Sequence, residues 1–217
     1  MIIKVCGLRD PENVRCIDGL DVDWLGFIFY PPSPRYVPYD SKLIETIGSC
    51  KKNKVGVFVN EELAVMLEKS ILFHIDMIQL HGNEKPEVCL TLRQMGFPVI
   101  KAFSIESERD FQQTALYLNF CDYFLFDTKA IGYGGSGKRF DWNLLAAYPY
   151  EKPFLLSGGI TPDSSVRIEQ LTHPQLAGID LNSGFELSPA MKDVSKIKEF
   201  LSQRTQRNTE NHRRGKL

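Results

Sequence analysis

Nothing in the 217 residues reads as a targeting or membrane-spanning segment. The amino terminus, MIIKVCGLRDPENV, enters a strand at once, and no stretch supplies the roughly 18 uninterrupted apolar residues a membrane helix needs. Cysteine is scarce and poorly arranged for cross-linking. Cys6, Cys16, Cys50, Cys89 and Cys121 form an odd set without a CxxC, which argues against a disulfide framework and against a zinc site. Reduced thiols in the cytoplasm are expected. An excess of one charge is missing too. Twenty-six Lys and Arg stand against 27 Asp and Glu, so neither a nucleic acid nor an anionic membrane is indicated as partner. The one charge-biased stretch, residues 202–217, is polar, basic and non-periodic, and is expected to be a disordered tail.

What is present is a rhythm of short apolar runs separated by helical patterns. The runs 2–6, 24–29, 54–59, 75–80, 98–103, 123–127, 153–158 and 178–182 read as strands. Most are continuously apolar, which marks strands buried on both faces, as in a parallel sheet under helices. Between them, EELAVMLEKSILF carries a helical apolar stripe, KPEVCLTLRQMGF ends at Gly96, and TPDSSVRIEQL opens with Thr161 as N-cap and Pro162 at the first helical position. Eight such units at this length predict an α/β fold, a single (β/α)8 barrel over residues 1–201. An open doubly wound sheet competes, and strand counting alone does not separate the two.

The chemistry favours the barrel. Cys6-Gly7, Ser33-Pro34-Arg35, His81-Gly82, Asp127, Ser157-Gly158-Gly159 and Asn182-Ser183-Gly184 all follow strands, and a barrel gathers those strand ends at one mouth. The glycine turns after the seventh and eighth strands read as a phosphate site, because glycine lets backbone N–H groups approach an anion. Ser183-Gly184 could open a short extra helix. Asp127 closes the run YFLF; an apolar wall there would favour a protonated carboxyl, although a strand-end Asp also caps turns. Cys6 is either a small buried hydrophobe or a thiolate at the mouth, whereas the other four cysteines read as structural. Arg35 sits in the proline-stiffened PPSPRYVP and suits a carboxylate. His81 is a ligand contact or a hydrogen-bonded wall residue. The stretch 132–139, with Gly134, Gly135 and Gly137, imitates nucleotide-binding loops. It starts too far from its strand for a dinucleotide fingerprint, and Arg139 stands where a P-loop needs Ser or Thr, so it reads as a lid. The remaining histidines show no metal-ligand spacing.

The motifs KVCGLRDPENV, GFIFYPPSPRYV, VGVFVN, IQLHGNE, FDTKAIGYGGSGKRFDW, LLSGGI and GIDLNSGFELSPAMKD, in this order over residues 2 to 201, resemble those of the phosphoribosylanthranilate isomerases. The resemblance implies a (β/α)8 TIM barrel of the ribulose-phosphate-binding type, with neither cofactor nor metal. It implies an Amadori rearrangement of a small sugar-phosphate substrate in tryptophan biosynthesis. Asp127 would be the general acid and Cys6 the general base. Arg35 would meet the anthranilate, His81 and Asp180 would line the substrate site, and Gly158, Gly159, Ser183 and Gly184 would hold the phosphate. Two positions depart from the usual pattern: Asn182 stands in a motif that commonly reads DVSSG, and Arg9 replaces a frequent Thr. Rival readings are the related histidine-pathway isomerase, which typically uses two aspartates; indole-glycerol-phosphate synthase, whose mouth lysine would have to be Lys101; and a non-catalytic phosphate-binding module. Monomer and homodimer remain equally compatible.

Overall fold

The computed structural model describes residues 1–127 and 141–203. Eight parallel strands close into a barrel in chain order: β1 (Ile2–Cys6), β2 (Trp24–Ile28), β3 (Asn53–Phe58), β4 (Met77–Leu80), β5 (Val99–Ser104), β6 (Tyr123–Asp127), β7 (Phe154–Leu156) and β8 (Leu176–Leu181). β8 pairs back onto β1, setting Lys4 beside Asp180, and this closure rules out the open sheet.

Because successive side chains alternate in direction, each apolar run serves two layers. One set plugs the lower barrel: Trp24, Val55, Met77, Ile100, Ala102, Leu125 and Leu155. The other faces the helices, where Phe111, Phe124, Phe126, Tyr148 and Phe154 pack ring against ring, with Phe126 and Phe154 centroids 4.8 Å apart. Each such fully buried ring contributes about 1.5–3 kcal/mol over its exposed state.

Helix starts are written locally. Asp10 and Asp40 accept hydrogen bonds from Asn13 N and Leu43 N, both at 2.8 Å, and so cap α1 (Pro11–Asp18) and α2 (Ser41–Gly48). α3 (Leu63–Leu72) and α4 (Pro86–Gln94) follow, and Gly96 ends the latter with φ of +92°. After β5 and β6 the helical layer tightens to 3-10 turns, Glu108–Tyr117 and Trp142–Ala147. Thr161 caps a 3-10 turn, Pro162–Ser164, that runs into α5 (Ser165–Glu169).

A recurring device tightens the barrel floor. Asp23, Asp76 and Asp122, each just ahead of an even-numbered strand, accept from Ile3 N, Lys54 N and Val99 N of the preceding strands at 2.7, 2.7 and 2.8 Å.

Some boundaries differ from expectation. β7 spans three residues rather than 153–158, because Gly158 and Gly159 turn the chain with φ of +80° and +70°. A small hairpin, β9 (Glu186–Ser188) with β10 (Met191–Lys192), was not anticipated. Residues 194–203 are helical, so positions 202 and 203 extend a helix, and the rest of the expected tail lies outside the described residues.

Candidate active site

At the C-terminal ends of the strands a cleft of about 550 Å³ opens, lined by Cys6, Tyr30, Arg35, Gln79, His81, Asp127, Ser157, Asp180 and Asn182, among others. Cys6, Arg35, His81, Asp127 and Asp180 therefore meet in one place although up to 174 positions separate them, from 6 to 180. No helix among the described residues is long and apolar enough to cross a membrane.

Cys6 ends β1 on its inward face and is 3 % exposed. Its register partner is Gly26, where a Cβ would fall 2.7 Å from the Cys6 sulfur and 2.9 Å from its Cα. The missing side chain at position 26 is what lets Cys6 occupy this spot. Gly26→Ala is expected to cost about 1–3 kcal/mol by overpacking and to lower activity more than stability, because the group displaced is Cys6. Thermal melts alongside turnover check this; unchanged turnover would contradict it. Burial raises the Cys6 thiol above its ordinary pKa, with Lys4 pulling the other way. Lys4, inside β1, is wholly buried and pairs with Asp180 at 3.0 Å. Burial likewise raises the Asp180 carboxyl.

Asp127 closes β6 at the other side of the cleft. Its expected apolar wall is absent in the form foreseen: Phe124 and Phe126 face outward into the helical layer, since only alternate residues of YFLF point inward. The neighbour is instead His81, whose Nε2 lies 3.7 Å from Asp127 Oδ2. The Gln79 amide lies against the other ring nitrogen, 2.9 Å from His81 Nδ1. Burial, followed by the charges of Lys101 and Lys4, pushes the His81 pKa down to about 3, so the ring is neutral.

Arg35 reaches the mouth, but its fork is engaged. Nε and Nη2 donate to the Glu186 carboxylate at 2.9 and 2.6 Å. Lys192 Nζ, also fully buried, donates to Glu186 at 2.7 Å and to Asn182 Oδ1 at 2.8 Å. Burial works against the Glu186 anion, yet hydrogen bonds from Arg35 and Lys192 outweigh it and hold the carboxyl below its usual pKa. Glu186→Ala strands two buried cations. A loss of about 3–5 kcal/mol is expected, read by denaturant unfolding, with weaker substrate binding as Arg35 loses its support. A wild-type midpoint would refute this.

The two glycine turns abut. A Cβ at Gly184 would fall 2.1 Å from the carbonyl oxygen of Ile160, so the chain after β8 presses directly on the turn containing Gly158 and Gly159. Ser183–Phe185 forms the short 3-10 helix expected there. Ser157 and Asn182, the neighbours of these turns, line the cleft. The glycine loop with Gly134, Gly135 and Gly137 lies outside the described residues.

Residues 3–203 match the family model described as N-(5'-phosphoribosyl)anthranilate (PRA) isomerase. The chain belongs to that family. It is 51 % identical over 206 residues to the PRA isomerase of Parabacteroides distasonis, covering 94 % of this chain and 93 % of the relative. Among solved structures, the PRA isomerase of Thermotoga maritima superposes with a TM-score of 0.77 at 33 % identity, covering 94 % and 99 % of the two chains. Another PRA isomerase structure, at 30 % identity and TM-score 0.74 over the same shares, is bound to reduced 1-(o-carboxyphenylamino)-1-deoxyribulose 5-phosphate.

Within this PRA isomerase fold, Lys101 is no mouth lysine of the synthase kind. It points outward, and its ammonium is held by the carbonyls of Leu80, Gly82 and Ala102 and by Glu84. Cys89 and Cys121 are buried and Cys50 half-buried, but Cys16 is exposed on α1 and packs no core, contrary to its structural reading. Lys4, Gln79, Glu186 and Lys192 were not read as site residues. Lys4 carried the clearest signal, a lone charge in a strand buried on both faces, which demands a buried partner.

Proposed function

We propose that the chain isomerises N-(5-phosphoribosyl)anthranilate to 1-(2-carboxyphenylamino)-1-deoxyribulose 5-phosphate in tryptophan biosynthesis, with Asp127 as general acid and Cys6 as general base. The observation that carries the assignment is the placement of these two groups, from β1 and β6, in one cleft beside the paired glycine turns. Asp127 gives a proton to the furanose ring oxygen as the C1–O bond breaks, and the anthranilate nitrogen's lone pair closes a Schiff base. The Cys6 thiolate then removes the C2 proton, and the C–H electrons flow to the nitrogen, leaving an enolamine that tautomerises to the ketone.

Arg35 has five N–H donors, of which Glu186 takes two. Its guanidinium so fixed would meet the anthranilate carboxylate, while backbone N–H groups around Gly158, Gly159, Ser183 and Gly184 would receive the phosphate. His81 and Asp180 line the sugar. The steps are proton transfers that call for no cofactor or metal, and both a monomer and a homodimer are compatible with them. The chain's five unpaired thiols suit a cytoplasmic setting.

The test is freshly made phosphoribosylanthranilate in a fluorescence assay. Wild type should abolish the substrate's fluorescence far faster than spontaneous breakdown does. Decay at the uncatalysed rate by folded protein would overturn the assignment.

A further inference from the structure

Five ionisable side chains crowd under and beside Cys6. Lys4 stands below it on β1, Asp180 on β8 pairs with Lys4, and Lys192 on the β10 strand reaches Asn182 and Glu186. Arg35 closes the set through Glu186. None of the five is more than 12 % exposed at its side chain. Three cations, Lys4, Arg35 and Lys192, thus face two carboxylates, Asp180 and Glu186. Among the described residues, the remaining ionisable groups lining the cleft are Tyr30, His81 and Asp127, and His81 is neutral.

Uncompensated charge is costly away from water. Among the described residues the five-membered set is one anion short, and Cys6, on the same strand face as Lys4, is an acid within it that can supply one. Lys4 is the cation most directly concerned: it lies two residues before Cys6 on the same inward face of β1, and its ammonium donates to Asp180 at 3.0 Å.

We propose that Lys4 is a positioning residue for the isomerisation: its buried ammonium fixes Asp180 and leaves the surrounding set with one unit of positive charge that a Cys6 thiolate balances. This rests on the assignment of Cys6 as base. With the thiolate formed, three positive and three negative charges cancel. When Cys6 takes the C2 proton, the set carries its surplus positive charge beside the electron-rich enolamine, and the Lys4–Asp180 pair is undisturbed. Nothing but that one proton changes place.

Two substitutions give opposite signs, which a purely structural role for Lys4 would not. Lys4→Met removes a positive charge and Asp180→Asn a negative one. The readout is the pH dependence of Cys6 alkylation by iodoacetamide, followed on the Cys6 peptide by mass spectrometry. That measures the thiol whether or not the variant turns over, so failure of the base assignment, read by Cys6→Ser kinetics, stays distinguishable. Lys4→Met should move the alkylation midpoint up by about one pH unit or more and Asp180→Asn should move it down, as expected for charges within a few ångströms. Lys4→Arg, which keeps the charge, should hold the midpoint near wild type. Should a single variant fail to fold, the double variant Lys4→Met/Asp180→Asn, with the same net charge as wild type, should titrate close to it. Midpoints that stay put in both single variants, or move in the same direction, would overturn the proposal, as would a double variant displaced as far as Lys4→Met.

Discussion

Asp127→Asn is expected to lower kcat by about two to four orders of magnitude, the usual worth of a positioned general acid. The substitution keeps size and shape, so the cleft and the contact with His81 at 3.7 Å remain available. What disappears is the acidic proton: an amide cannot deliver one to the ring oxygen, and without protonation the C1–O bond has a poor leaving group. Substrate affinity should change far less, because the groups proposed to bind the substrate's two anionic ends are Arg35 and the glycine turns. The melting temperature should stay near wild type, since Asp127 is a strand-end residue 22 % exposed rather than part of the core. Steady-state kinetics with thermal melts separate the outcomes. A variant with near-normal kcat would remove Asp127 from the chemistry.

Cys6→Ser should cost a comparable two to four orders of magnitude, for a different reason. A hydroxyl fits the space left by Gly26, but it ionises far less readily than a thiol, so the base is lost while the geometry survives. The pH dependence follows from burial, which holds the Cys6 thiol above its ordinary pKa. The thiolate fraction therefore grows as pH rises, and the limb of the rate profile belonging to Cys6 climbs with pH. In Cys6→Ser that limb should vanish. A variant that kept both rate and limb would show that some other group removes the C2 proton. The wild-type acid limb should not belong to His81, whose pKa of about 3 keeps it neutral throughout the working range.

The barrel was legible because a parallel strand buried on both faces must be apolar throughout, and runs such as KVGVFV and YFLFD announce themselves. The same continuity hid which side chains face inward. Lys4 and Asp180 lie 176 residues apart, and only closure of β8 onto β1 makes them neighbours. Asp127 was placed correctly at a strand end, yet its neighbourhood was misread, because the aromatic residues before it turn away from the mouth. Arg35 was expected to suit a substrate carboxylate, and the carboxylate that holds it, Glu186, comes from a three-residue hairpin strand too short to leave a strand pattern. Cys6 carried its own clue in Gly26, but the meaning of that glycine appears only when β1 and β2 are paired in register.

A crystal structure of this chain with reduced 1-(o-carboxyphenylamino)-1-deoxyribulose 5-phosphate bound tests the roles of Cys6 and Asp127 together. The phosphate should lie against the turns at Gly158–Gly159 and Ser183–Gly184, and the carboxylate toward Arg35. Carbon 2 should lie beside the Cys6 sulfur, with Asp127 within hydrogen-bond reach on the other side of the sugar. A ligand whose phosphate sits elsewhere, or whose sugar touches neither Cys6 nor Asp127, would contradict this arrangement.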